Sequence, residues 1–589
     1  MSCSIPGIED AGCLLIFGYN PNTSHPIVAR RMVKAREKGA KIIVADPRFI
    51  ETARIADLYL PINNGTNLAF LNSFAHAIVE QDLHDKQFID NHTKGYDDWW
   101  EVIKNYSPEN MAPITGIEPE LMRKAARIYA TAEPSAIICW GMGVTQHRQN
   151  VDAVHAIAAI ACISHQVGKP NSGVAPVRGQ NNVQGSCDTG CLPHIFPGYQ
   201  SVSSPEAREK FAKAWGVPVE KLSDQPGAKV SNIGRLIEEG KIRGFYNMGE
   251  DPLQTEPDTV KLERQLRQLE IFVCQDIFMT QTCVAADVIL PATSWGEHEG
   301  VFTASDRTFQ RFGAAVPPKG ECRHDWEIIQ DLSTRMGHPI NYKNTNEIWD
   351  NEMRKMWDGA FGATYERMEG LGHAQWPIPT LDHPGSPDLH QGGNFKKPDG
   401  RARLYAAEFI YPTEMPDEQY PLILCTVREV GHYSCRSMTG NCSTLSKLAE
   451  EPGYAQINPA DAEERGIKHD DLIWVFSRRG KVITRAMIDG RVNKGTIYMT
   501  YQWWVGKCNE LTIHAVDPKA NTPEDKYSAC NIQIIDDQIW AEQYAQEAYM
   551  KIKDRLTEEA ARQHGEVKEI ELPAEAALAE STAQHGDSI

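Results

Sequence analysis

The sequence lacks any apolar run long enough to cross a bilayer: its longest, Val154 to Ile163, is about half of the roughly 20 residues a membrane helix needs. No basic stretch precedes the short apolar Leu14-Leu15-Ile16-Phe17, so the N-terminus does not read as a secretory signal. Positive charge is scarce. Sixty Lys and Arg face 79 Asp and Glu, a net charge of −19, which argues against nucleic acid as a partner because phosphate backbones demand basic excess. The acidic excess favours solubility and leaves room for a local basic pocket. Together these absences predict a cytoplasmic protein with no direct membrane insertion.

None of the 14 cysteines form Cys-x-x-Cys, and there is no four-cysteine iron–sulfur run. Cys187 and Cys191 are spaced Cys-x-x-x-Cys, a weak metal signal. The scatter of cysteines through apolar runs, as at Cys139, Cys162 and Cys274, reads as reduced thiols serving as small hydrophobes. No Gly-x-Gly-x-x-Gly opens a helix after a strand, so NAD is not indicated. Ser294 to Gly300 holds a His and two carboxylates but lacks the His-Glu-x-x-His spacing, and its glycines favour a structural turn over a metal site.

What is present is one grammar repeated. With 589 residues the chain needs two to four cores. Several segments run from an apolar strand through a Gly, Asn, Asp or Gln loop into a helix. The first is Cys13 to Phe17, then Gly18 to His25, then a helix over about Pro26 to Lys38; strand Lys41 to Ala45 follows and ends in Asp46-Pro47-Arg48. Ala136 to Trp140, Gly244 to Met248, Ile271 to Cys274 and Asp287 to Leu290 read as further strands. Such βαβ units build parallel sheets, and ligands bind beyond the carboxyl ends of their strands. After a Pro-, Gly- and Asp-rich stretch at about 375–420 the grammar changes to short strands: Leu422 to Thr426, Leu472 to Ser477, Lys481 to Ile488, Gly495 to Thr500 and Cys530 to Ile535. Arg478-Arg479-Gly480 reads as a hairpin turn, and the whole as a β-barrel. The last part, from about Asp537, reads as a helix running into a frayed acidic tail.

The predicted fold class is therefore α/β: Rossmann-like parallel-sheet domains plus a C-terminal barrel. The expected division is an α/β domain over 1–180, a second over 181–390, the barrel over 391–540 and the helical tail over 541–589.

Four loops could carry chemistry. Asp46 ends the second strand of a βαβ unit, where a carboxylate accepts from a ribose hydroxyl or simply forms a turn before Pro. Pro176 to Gly185 sets one Arg among amides and glycines, either as a self-bonded polar loop or as a binding site whose guanidinium forks onto a carboxylate or phosphate. Thr426 to Ser437 and Tyr498 to Trp504 offer Arg, His, hydroxyls and aromatics near strand ends, able to hold phosphates and stack on a heterocycle. Core packing is the competing reading for Trp503 and Trp504.

Taken together these segments resemble the molybdopterin oxidoreductase (dimethyl sulfoxide reductase) family. Ala286 to Pro291 followed by Glu297-His298-Glu299-Gly300 resembles its central signature. Ile457 to Ala462 through Gly466-Ile467, with Gly495 later, resembles its C-terminal dinucleotide-binding domain, a barrel of the double-psi type. Val177 to Gly185 and Arg428 to Gly440 look like the formate dehydrogenase branch, of the kind found in formate hydrogenlyase complexes. The resemblance covers about residues 10–545. It implies two molybdopterin guanine dinucleotides on one molybdenum (or tungsten), and oxidation of formate to carbon dioxide. It also implies transfer of the electrons to an iron–sulfur subunit such as that of a hydrogenase complex. On the matching motifs Asn20, Asp46, Met142, Gln146, Gln180, Asp251, Thr255, Gln275, Asp276, Asp325, Arg428, His432, Ser434, Tyr501 and Lys526 are the implied cofactor contacts, and Arg178 the residue that orients formate. Residues 295–323 would belong to an iron–sulfur domain.

The departure is at the start. The family opens with a [4Fe–4S] segment and a selenocysteine or cysteine metal ligand. Met1-Ser2-Cys3-Ser4 matches a point after both, and Cys3 does not align with the ligand. The expectation is that a UGA selenocysteine codon upstream was read as stop, and that the chain expressed alone oxidises no formate and lacks a sheet partner. Other readings are a nitrate- or arsenite-type member of the family, disfavoured by the Arg178 loop, and a non-catalytic wiring subunit like that of respiratory complex I.

Overall fold

The computed structural model describes residues 1–370 and 374–564. Its first layer is a five-stranded parallel sheet in the order β3-β2-β1-β4-β5. The strands are β1 (Cys13–Phe17), β2 (Lys41–Ala45), β3 (Leu58–Leu60), β4 (Ala136–Trp140) and β5 (Gly173–Pro176). Every residue of β1 and β4 is buried, because helices cover both faces. Leu15 and Phe17 point into a core shared with Phe70, Phe74 and Ile160, whereas Leu14 and Ile16 point into one shared with Val28 and Met32. Two-sided burial is why these strands read as unbroken apolar runs rather than alternating ones. Helix α1 (Pro26–Glu37) supplies the second face, and α2 (Asn67–Glu80), α3 (Pro119–Ala130) and α4 (Asn150–Ile163) the first. Each fully buried Leu, Ile or Phe there stabilises by about 1.5–3 kcal/mol relative to exposure.

A second parallel sheet has three strands, β8-β7-β6: β6 (Gly244–Met248), β7 (Ile271–Asp276) and β8 (Val288–Pro291). Phe272, Cys274, Leu253 and Leu266 form its core. The amino ends of its strands are open to solvent, with Val288 40% and Ile271 51% exposed. An antiparallel ribbon of β9 (Gly300–Thr303), β10 (Thr308–Phe312) and β11 (Ala374–Gln375) follows. The Ser294–Gly300 segment is a turn, as its glycines predicted: the Glu297 carboxylate accepts from the Ser294 N–H at 2.7 Å and the Lys319 N–H at 3.0 Å.

The barrel closes with six strands in the order β12-β16-β13-β15-β14-β17: β12 (Leu422–Val427), β13 (Tyr454–Ile457), β14 (Leu472–Phe476), β15 (Lys481–Ile488), β16 (Thr496–Thr500) and β17 (Ser528–Ile534). Closure removes the unpaired sheet edges that would otherwise template aggregation. The Arg478-Arg479-Gly480 turn joins β14 to β15 antiparallel, with the Ser477 N–H donating to the Gly480 carbonyl at 2.9 Å. Ahead of the barrel, Leu404 is buried in the first core, and the Phe409 N–H donates to Tyr106 Oη at 2.7 Å. A C-terminal helix, α6 (Gln538–His564), packs Ala541 and Ala545 against Leu472 and Ile483 of the barrel. The predicted acidic tail beyond 564 lies outside the described residues. Nine of the fourteen cysteines are buried, as their apolar surroundings predicted, and no helix among the described residues is long and apolar enough to cross a membrane.

Candidate functional site

The carboxyl ends of both parallel sheets face the barrel across one continuous cleft. Its inner part, about 190 Å³, lies between the loops after β1, β2 and β4 and the barrel residues Thr426, Arg428, Tyr498 and Lys526. Its outer part, about 1600 Å³, extends past Arg178 to the loops of the second sheet. His25, Met142, Gln180 and Arg428 line both. Single-ligand pockets typically enclose about 300–1,000 Å³, so the outer cleft is roomy enough for a larger group.

Close backbone approach shapes the inner wall. Gly18 lies in the left-handed region at φ +53°, and a Cβ on Gly143 would come within 2.5 Å of the Gly18 carbonyl. Only glycines let these two loops meet, with the Gly143 N–H donating to the Gly18 carbonyl at 3.1 Å. Beside them, Asp46 accepts from the Arg48 N–H at 3.0 Å. Burial pushes its carboxyl up to about 6, against the opposing effects of that hydrogen bond and of the Arg48 and Lys526 charges. Lys526 donates to the Thr426 carbonyl and, at 3.2 Å, to Thr426 Oγ1; burial holds its ammonium below the usual lysine range. Arg428 lies 5.3 Å over the Tyr501 ring. With the Gln180 amide turned so that its oxygen faces the guanidinium, Arg428 donates to it at 3.0 and 3.1 Å.

The implied residues fall into two groups. Asn20, Asp46, Met142, Gln180, Arg428 and Lys526 line the inner cleft. Gln146, Arg178, Thr255, Ser434 and Tyr501 line the outer part. The other residues gather behind the second sheet's strand ends or inside a loop. Asp251, 2% exposed, accepts from the Thr282 N–H at 3.0 Å and hydroxyl at 2.6 Å. Gln275, fully buried, donates to Asp325 and accepts from the Tyr246 hydroxyl. Asp276 accepts from the Phe278 N–H at 3.0 Å, and burial pushes it up to about 6. His432 is turned inward, its ring nitrogens each 3.0 Å from Thr439 Oγ1 and the Ala449 carbonyl. Trp503 and Trp504 are buried, as the core-packing reading had it. Arg436, fully buried, lies over Trp504 at 4.6 Å and pairs with Glu451.

Tyr19, His25, His147, Tyr498, Cys187 and Asp525 also line the cleft but are not among the implied contacts. Asp525 had a usable signal, since it adjoins Lys526; burial pushes it up to about 6, and its Oδ2 accepts from Gln146 Nε2 at 2.7 Å. His147 is held down to about 4 by burial and then by the Lys526 charge.

Three buried atoms of this wall, Tyr19 Oη, Asn20 Oδ1 and Asp525 Oδ1, have no partner within the described residues. Buried polar groups are rarely left unpaired. Here they sit beside glycine-lined backbone, a buried ammonium and two guanidinium groups, a donor set that fits a large, anionic, heterocycle-bearing ligand. Among the described residues no group of three His, Cys, Asp or Glu is placed to hold a metal ion.

A family model described as molybdopterin oxidoreductase matches residues 1–335, and one described as molydopterin dinucleotide binding domain matches 422–529. Formate dehydrogenase H of Escherichia coli (strain K12) is 50% identical over 566 residues, spanning 95% of this chain and 78% of that one. The F420-dependent formate dehydrogenase 1 subunit alpha of Methanococcus maripaludis is 39% identical over 538 residues, spanning 91% and 78%. Among solved structures, acetylene hydratase from Pelobacter acetylenicus shares the fold with a TM-score of 0.71 at 19% identity, covering 90% of this chain and 80% of that one. The chain belongs to the molybdopterin oxidoreductase family.

Proposed function

We propose that this chain is the catalytic subunit of a formate dehydrogenase, binding two molybdopterin guanine dinucleotides and passing electrons to an iron–sulfur partner subunit in the cytoplasm. The observation that carries the reading is Arg178. It lines the outer cleft beside the cofactor wall, and among the described residues only Nη1 of its guanidinium is engaged, donating to the Val183 carbonyl at 3.1 Å and to Cys187 Sγ at 2.8 Å. Its Nε and Nη2 are left for a carboxylate, which a guanidinium takes in a two-pronged grip. The similarity to formate dehydrogenases supports formate as that carboxylate.

When bound, the molybdenum (or tungsten) centre supplies the acceptor for the two electrons of formate oxidation. The chain's own residues bind and orient. Arg178 fixes the carboxylate so that the C–H bond has one direction, the kind of positioning that converts a collision into an intramolecular event. Arg428 and Lys526 balance pterin or phosphate charge. Asn20, Asp46, Met142, Gln146, Gln180, Asp251, Thr255, Gln275, Asp276, Asp325, His432, Ser434 and Tyr501 would hold the pterin and guanine-nucleotide parts of the cofactor.

The test is the holoenzyme purified without oxygen from its native host, assayed for ¹³CO₂ from ¹³C-formate with viologen reduction. Arg178→Lys should lower kcat/KM for formate by about a hundredfold, because a point charge replaces a planar fork, with molybdenum and pterin content unchanged. Absence of formate turnover by the wild type, or full turnover by the variant, rejects the reading.

A further inference from the structure

Arg178 has long, freely rotating bonds, so something must hold its guanidinium where it is useful. The two acceptors on its Nη1 both belong to α5 (Val183–Asp188). The Val183 carbonyl and Cys187 Sγ stand one helical turn apart and grip the same nitrogen. Because that nitrogen is taken, the Nε–Nη2 edge is the one left to face the cleft. Cys187 is half-buried and lines that cleft itself.

A helix of six residues cannot stabilise itself by propagation, so the grip is only as firm as the attachment of α5. Two anchors supply it. Asp188, fully buried, accepts from Gln184 Nε2 at 2.8 Å, Tyr199 Oη at 2.7 Å and Trp376 Nε1 at 2.9 Å. At the other end, Asn182 Oδ1 accepts from the Thr303 N–H of β9 at 2.9 Å. Gly185 lets this contact close: a Cβ there would lie 2.1 Å from Asn182 Oδ1. The carbonyl of Arg178 is tied down as well, by His25 Nε2 at 2.6 Å and Ser305 Oγ at 3.1 Å. The backbone is thus fixed from two sides and the side chain from a third.

We propose that Cys187 is a positioning residue for Arg178: with the Val183 carbonyl it parks one guanidinium nitrogen so that the free edge meets the substrate carboxylate at a set angle. The proposal rests on the formate reading above. A sulfur acceptor suits the place, since it is large enough to reach the guanidinium from the helix and binds it weakly enough to leave the free edge polarised toward an incoming anion.

The experiment uses the holoenzyme with two variants. In Cys187→Ala the formate KM should rise about tenfold, the loss of one modest hydrogen bond at about 1.4 kcal/mol per decade, with kcat within about threefold and cofactor content unchanged. Cys187→Ser keeps an acceptor and should restore most of the affinity, which a purely space-filling role would not favour over alanine. A second readout needs no variant. Iodoacetamide labelling, followed peptide by peptide, should be slowed by formate at Cys187, with the exposed Cys191 and Cys442 reacting as before. An unchanged KM in Cys187→Ala overturns the proposal. If that variant loses its cofactor, labelling of the wild type decides, and the absence of formate protection at Cys187 overturns it. A wild-type enzyme that oxidises no formate rejects the functional reading and this inference with it, whereas normal turnover with neither effect rejects this inference alone.

Discussion

The two parallel sheets end in carboxylates at equivalent places, Asp46 after β2 and Asp276 after β7, yet they are built to different standards. The first sheet has five strands with both faces covered, and the barrel clamps its site: Arg48 donates to Glu429 at 2.8 Å and to Gln456 at 2.9 Å across the join. The second has three strands whose amino ends are open to solvent, and it meets the barrel through Gln254, which donates to the Trp503 carbonyl at 2.8 Å, and through Lys507 and Asn509, which donate to the Leu253 and Thr255 carbonyls at 2.8 and 2.6 Å. Similar strand-end chemistry therefore sits in a rigid frame on one side and a looser one on the other. The difference teaches that placing a carboxylate at a strand end takes only local sequence, while holding it still takes contacts from elsewhere in the chain.

The largest effect should come from cutting the clamp. Arg48→Ala leaves the Glu429 carboxylate short of its buried partner, and breaking such a pair typically costs about 3–5 kcal/mol; the urea midpoint should fall accordingly. An unchanged midpoint would break the comparison. Next is pH. Burial raises Asp46, Asp525 and Asp276 from 3.8 to about 6 each, so the folded chain holds protons that the unfolded chain has released between about pH 4 and 6. The stability this gives is full below pH 4 and is lost as pH rises through about 6. Without cofactor, Tm should therefore decline across that window, and Asp46→Asn should flatten part of the decline, by at most about 3 kcal/mol for a two-unit shift. Asp276→Asn should flatten the decline by a similar amount, since burial raises its carboxyl to about 6 as well. The smallest effect belongs to the open amino ends: Arg243→Ala removes a solvent-exposed pair with Glu270, and the urea midpoint should not move.

Much of this was legible in the sequence, for physical reasons. β1, β2 and β4 announce themselves because two-sided burial writes continuous apolar runs, and β15 because it is long. β13 (Tyr454–Ile457) escaped because four residues between Gly453 and Asn458 carry too little pattern. β5 (Gly173–Pro176) escaped because Gly and Pro argue against a strand, and it exists only as the edge of the sheet, where a missing N–H is tolerated. In the site, Asp46 and the Arg178 loop could be found from position and composition. Asp525 could be found from its place beside Lys526, whereas His147 could not, because it meets the Lys526 charge only when residues more than 370 positions apart are brought together by the barrel. Cys187 was hidden for a different, local reason: its spacing with Cys191 is a weak metal signal, whereas its neighbour in the fold is the Arg178 guanidinium nine residues earlier.

The barrel's strand order has a consequence for how the protein is made. β17 (Ser528–Ile534), the last strand in the chain, fits between β12 and β14, so the barrel cannot close until it has left the ribosome. The first sheet is complete by residue 176; the wall that carries Lys526 does not exist until some 350 residues later. Non-local pairings of this kind form late, and domains earlier in the chain fold first during synthesis. The cleft therefore stays open on one side through nearly the whole of translation.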